Sequence, residues 1–165
     1  MGFSITPIRE SQVQGYLQAV APRVEAVSVG LVGITQTCYR CGSPGVALAG
    51  VIVDPAIVRV LVGVEDDLFL DFEPVGEALR DALDPSWLAS HFIGPLKVRR
   101  SRPRPEGYIS NGCHACDAIV GSYPLHEAVV KIGMARLPEF VIRQVTLPLD
   151  ALRVAVEPRL AQGEW

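Results

Sequence analysis

The chain has 165 residues, of which 49% are hydrophobic and only 20% charged, so it can fill one core and is too apolar to be disordered. Its net charge of -3 excludes a globally basic nucleic-acid coat and leaves room only for a local basic patch. No apolar run approaches the length of a membrane span, and Met1 to Thr6 lacks the charged start and apolar stretch of a secretory signal. Thirteen arginines against two lysines, with abundant Ala, Gly, Val and Pro, suit a GC-rich bacterial genome, and the expected location is a bacterial cytoplasm.

In chain order, Val13, Tyr16, Leu17 and Val20 recur at helical intervals, so residues 10–21 are expected to form a short amphipathic helix stopped by Pro22. From Val24 the pattern alternates, with Val27, Val29 and Leu31 on one face, and the β-branched content continues to Thr37. This strand runs into Cys38. The segment from Cys38 to Gly45 is dense in turn formers, and the apolar run Val46 to Val53 returns as the partner strand. Ile57 to Val64 reads as a further strand buried on both faces, followed by the solvated turn Glu65-Asp66-Asp67.

Val75, Ala78, Leu79, Ala82 and Leu83 keep one helical stripe, with Pro74 in the first turn and Asp84-Pro85 as the stop. Leu96 to Ser101 and Gly107 to Ser110 read as strands, the second of which leads to Cys113. After the second cysteine pair, the pattern predicts a strand over 118–123, a helix over 125–132 and a closing strand over 140–147. The fold class expected is α+β, mainly antiparallel, with two or three short helices in a single domain over 1–156 and a tail over 157–165.

Both cysteine pairs are Cys-x-x-Cys: Cys38 with Cys41, and Cys113 with Cys116. At this spacing a tight turn aims both sulfurs at one cation, while turn N–H groups donate to the thiolates and spread their charge. Two such knuckles complete the four-thiolate sphere of a structural Zn²⁺ site. Gly42 after Cys41 suits the left-handed residue such a turn needs, and Asp117 takes the corresponding place after Cys116. The 71 intervening residues do not oppose closure, because loop entropy grows only logarithmically with length.

Other readings of the four cysteines are a coincidence of buried thiols, two disulfides, or a thiol–disulfide catalyst. A redox pair of this spacing normally opens a helix, whereas both pairs here end strands. Haem attachment needs His after the second cysteine, and a zinc deaminase needs His-x-Glu with Pro-Cys-x-x-Cys; neither pattern is present. His114 inside the second knuckle reads as a loop histidine pointing away from the metal. His91 beside Trp87 and Phe92 reads as a packed residue, and His126 as a helical one without a nucleophile beside it. No catalytic residues are expected.

Lys97, Arg99, Arg100, Arg102 and Arg104 put five positive charges shortly before Tyr108. With Tyr108 they form a candidate nucleic-acid or anion-binding surface; the alternative is a solvated hairpin arm paired to Glu65, Asp66 or Asp67. The pattern Tyr108-x-x-Asn111-x-Cys113-x-x-Cys116 followed by Gly121, together with Cys38-x-x-Cys41-Gly42 on an upstream hairpin, resembles uncharacterised bacterial proteins carrying a split zinc ribbon. The resemblance covers residues 27–53 and 106–123, departs at Asp117 where glycine is usual, and implies one zinc ion held by Cys38, Cys41, Cys113 and Cys116. The expected role is a structural zinc site clamping two hairpins and presenting a surface to a macromolecular partner, foremost a protein. Nucleic-acid binding through 97–104 and a redox or zinc-dependent enzyme are the alternatives.

Overall fold

A computed structural model describes residues 25–53, 60–62 and 73–152. The helix expected over 10–21, the ends of the strand expected over 57–64, the acidic turn at 65–67 and the tail over 157–165 lie outside the described residues.

Strand β1 (Ala26–Thr37) leads into the first knuckle, and β2 (Pro44–Val53) returns from it in antiparallel register, from Thr37 opposite Pro44 to Val29 opposite Val53. The third strand, β3 (Val60–Val62), pairs with the end of β2. Helix α1 (Glu73–Ala82) and the short α2 (Pro85–Ser90) follow, then the hairpin of β4 (Lys97–Arg99) and β5 (Tyr108–Ser110). Helix α3 (Ser122–Ile132), a 3-10 turn over Met134–Phe140 and β6 (Val141–Pro148) complete the described order. The larger sheet runs β3-β2-β1-β6, all antiparallel, so the fold is α+β as the patterning predicts.

Strand β1 is buried continuously from Val29 to Ile34 because the sheet is covered on both faces. Val27, Val29 and Leu31 meet Leu48, Val51, Val145 and Leu147 beneath Val75, Leu79 and Leu83 of the α1 stripe and Leu88 of α2. On the opposite face Val32 and Ile34 meet Ala49 and Ile52 beneath Val129 and Leu137. Each fully buried Leu or Val contributes about 1.5–3 kcal/mol relative to exposure, and the first cluster, the larger of the two, carries most of this. The register shifts between Val32 and Gly33, where the partner changes from Gly50 to Leu48 and Ala49 has no partner. This bulge resets the alternation of β2, so Leu48 and Val51, three residues apart, both face the first cluster.

One expectation is corrected and one is extended. The strand expected over 118–123 is reduced to one bridge between Gly112 and Ile119, and α3 starts at Ser122. Gly121 turns the chain, and Pro124 has no N–H for a ladder but fits a first helical turn. Asp84-Pro85 ends α1 but also starts α2: the Asp84 carboxylate accepts from the N–H groups of Ser86 (2.7 Å) and Trp87 (3.0 Å), with Pro85 in the first turn. Those two N–H groups, Trp87 first, hold the Asp84 carboxyl below the usual carboxylate range. Among the described residues no helix is long and apolar enough to cross a membrane.

Candidate metal centre

The two knuckles repeat one hydrogen-bond pattern. In the first, Gly42 N–H donates to the Cys38 carbonyl (2.9 Å) and Cys38 N–H to the Ser43 carbonyl (2.9 Å). In the second, Asp117 N–H donates to the Cys113 carbonyl (2.9 Å) and Cys113 N–H to the Ala118 carbonyl (2.8 Å). The residue after the second cysteine is left-handed in both, with φ of 72° at Gly42 and 59° at Asp117. Glycine enters that region freely, and aspartate is among the few other residues that tolerate it.

All four sulfurs lie within 4.8 Å of one another. Across the knuckles, Cys38 Sγ is 3.7 Å from Cys116 Sγ and Cys41 Sγ is 3.6 Å from Cys113 Sγ. A tetrahedron with metal–sulfur bonds of about 2.3 Å has sulfur–sulfur edges of about 3.8 Å, so the donor set fits one thiophilic cation. Covalent sulfur pairs at about 2.0 Å are a different geometry, and all four cysteines are free. The four cysteines therefore form a cluster able to hold a metal ion, one knuckle from each half of the chain.

Several turn donors favour thiolates. Ala115 N–H points at Cys113 Sγ (3.4 Å). The N–H groups of Cys41 and Arg40 hold the Cys38 thiol below its ordinary value. The Ser43 hydroxyl, 3.3 Å from Cys41 Sγ, and the Ser43 N–H pull the Cys41 thiol from 9.0 down to about 6. At Cys116 the Ala118 N–H acts in the same direction, but burial and the crowding sulfurs of Cys41, Cys38 and Cys113 together outweigh it and push that thiol up to about 12. Four thiols cannot all ionise side by side without a cation, and a bound divalent ion removes that conflict.

The knuckles meet because the second docks along the free edge of β2. Residues two apart in a strand direct their backbone groups to the same edge, and Pro44, Val46 and Leu48 are each used in turn. The Pro44 carbonyl lies 2.9 Å from His114 Nε2, and Val46 N–H donates to the Phe92 carbonyl (3.0 Å). Leu48 is paired twice by one side chain: its N–H donates to Asn111 Oδ1 (2.9 Å), and Asn111 Nδ2 donates to its carbonyl (2.8 Å). Asn111 is buried and acts as a surrogate strand residue. Its position two residues before a knuckle was readable, and a buried amide in a β context signals a polar partner. The identity of that partner was not readable.

His114 is half-buried, with its ring edge on Phe92 (centroids 5.3 Å apart), rather than an outward-pointing loop residue. His91 stacks on Trp87 one helical turn away and remains exposed. Phe92 itself has φ of 57° and is 60% exposed, a conformation that bulky residues rarely adopt. No sequence signal marks it.

The basic segment separates into two sets. Arg99 is buried and Lys97 half-exposed, and each pairs with one oxygen of Asp117. The Asp117 carboxyl is held below the usual carboxylate range by Lys97 first and Arg99 second. Arg100 and Arg102 are exposed, and Arg104 lies over the Tyr108 ring at 5.0 Å. The pairing expected with Glu65, Asp66 or Asp67 falls on residues outside those described. No family model, curated protein or solved structure matches the chain, so it is the four-sulfur geometry that defines the site.

Proposed function

We propose that the protein is a structural zinc protein in which Cys38, Cys41, Cys113 and Cys116 hold one Zn²⁺, clamping two hairpins and presenting a surface to a macromolecular partner, foremost another protein. The observation that carries this reading is the approach of four sulfurs to within 4.8 Å from knuckles 71 residues apart. Four-sulfur tetrahedral sites select zinc or iron, and a closed sphere leaves no position for substrate. Tyr39 at the first knuckle (78% exposed) and Phe92 (60% exposed) supply the apolar part of the partner surface. The kinship to bacterial split zinc ribbons, and with it a cytoplasmic setting, belongs to the same reading.

One observation favours a second reading, a thiol-redox protein: Cys41 is exposed and its thiol is pulled down to about 6. Nucleic-acid binding through the basic segment is supported by the exposure of Arg100 and Arg102 and by Arg104 over the Tyr108 ring, while Lys97 and Arg99 pair with Asp117.

Elemental analysis combined with thiol titration under native and denaturing conditions distinguishes these readings. Structural zinc gives one zinc per chain and four thiols that react fully only after unfolding in chelator. A folded, metal-free protein with disulfides overturns it in favour of redox chemistry, and one iron per chain overturns the choice of metal.

A further inference from the structure

The left-handed position after Cys116 carries a charged side chain with defined partners, whereas its counterpart Gly42 has nothing within 4 Å of the place a side chain would occupy. Asp117 Oδ2 meets Lys97 Nζ at 2.5 Å and Asp117 Oδ1 meets Arg99 Nη2 at 2.5 Å. The Arg99 side chain is only 8% exposed and is anchored from below: Nη1 donates to the Ser110 carbonyl (2.6 Å) and Nη2 also to the Pro95 carbonyl (3.0 Å). Its guanidinium lies against the backbone of Gly112, where any side chain would collide with it. One guanidinium therefore touches the residue before Cys113 and the residue after Cys116, spanning both ends of the second knuckle.

We propose that Asp117, gripped by Lys97 and Arg99, is a positioning residue for the metal centre: the bracket holds Cys113 and Cys116 in their coordinating turn and retards release of the ion. This rests on the zinc reading above. A carboxylate beside a four-thiolate site adds negative charge where a divalent ion already leaves a net negative cluster, and the two cations offset it. Outer partners of this kind set metal affinity by orienting the ligands, with losses of about 10–100-fold on removal.

The test is the rate of zinc transfer from the purified, zinc-loaded protein to a chromogenic chelator, with the visible spectrum of the cobalt-substituted protein as a check on coordination. Asp117→Gly keeps the left-handed turn and removes the bracket; it should release zinc about tenfold faster while retaining the four-thiolate cobalt spectrum. Asp117→Asn, which tolerates the same turn and keeps one acceptor, should fall between, and Lys97→Met, which spares Arg99, should have a smaller effect than Asp117→Gly. Leu137→Ala in the opposite core cluster is the stability control and should leave the rate near wild type. Release from Asp117→Gly within twofold of wild type overturns the proposal, as does equal acceleration by Leu137→Ala, which would make release a matter of global stability. If the wild-type protein carries no zinc, the zinc reading itself fails; if it does and only the variant rates are flat, the bracket alone fails.

Discussion

The two knuckles share a backbone and differ in everything around it. The first is a hairpin tip: Tyr39, Arg40, Cys41 and Gly42 are exposed, and the strands β1 and β2 stand behind it. The second is embedded: Cys113 is buried, Asn111 and His114 tie it to β2, and Lys97 and Arg99 bracket it through Asp117. Equal spacing in sequence has produced an exposed half and an embedded half of one site. A cation that binds both would sit between an embedded knuckle and an exposed one.

The sharpest way to break this contrast is to delete one ligand from each side. Cys113→Ser should abolish tight metal binding and also lower the melting temperature of the metal-free chain, because it puts a hydroxyl at a buried position. Cys41→Ser should abolish tight binding with little change in that temperature. Equal melting of the two metal-free variants would contradict the asymmetry.

Asn111→Ala comes next. It leaves the Leu48 N–H and carbonyl buried without partners, and urea unfolding of the chelator-treated protein should show a loss of about 2–4 kcal/mol. A loss below about 0.5 kcal/mol would mean that the ligands, not the edge docking, bring the halves together.

Removing the metal should leave the sheet intact, since the hydrogen bonds along Pro44, Val46 and Leu48 do not depend on it. Hydrogen exchange of the stripped protein should then show Cys38 and Gly42 amides exchanging faster than those of Cys113 and Asp117. Loss of far-ultraviolet dichroism on chelation, as in short zinc fingers, would refute this.

The smallest effect concerns pH. A thiol lowered from 9.0 to about 6 contributes stability to the metal-free fold that is complete above the ordinary value and disappears as the pH falls through about 6. Alkylation of the metal-free protein at neutral pH should therefore modify Cys41 faster than Cys116, which is pushed up to about 12.

The sequence alone determined the elements whose signal is local. Alternation marks β1, the apolar run returning after the first knuckle marks β2, the stripe from Val75 to Leu83 marks α1, and equal Cys-x-x-Cys spacing marks the four sulfurs. The residue types Gly42 and Asp117 suit left-handed backbone, and both adopt it. The strand expected over 118–123 does not form, because Gly121 turns the chain and Pro124 lacks the N–H that a ladder needs.

What only the tertiary structure decided is how the two halves find each other. Asn111 meets Leu48 across 63 residues and His114 meets Pro44 across 70, and no periodicity carries information over such distances. The fate of the basic segment was equally undetermined: a run of cations looks solvated until a buried Arg99 is seen against Gly112 with Asp117 above it. Local patterns report which face of an element is apolar. Partners between distant polar groups are set by docking geometry, and they separate an embedded knuckle from an exposed one.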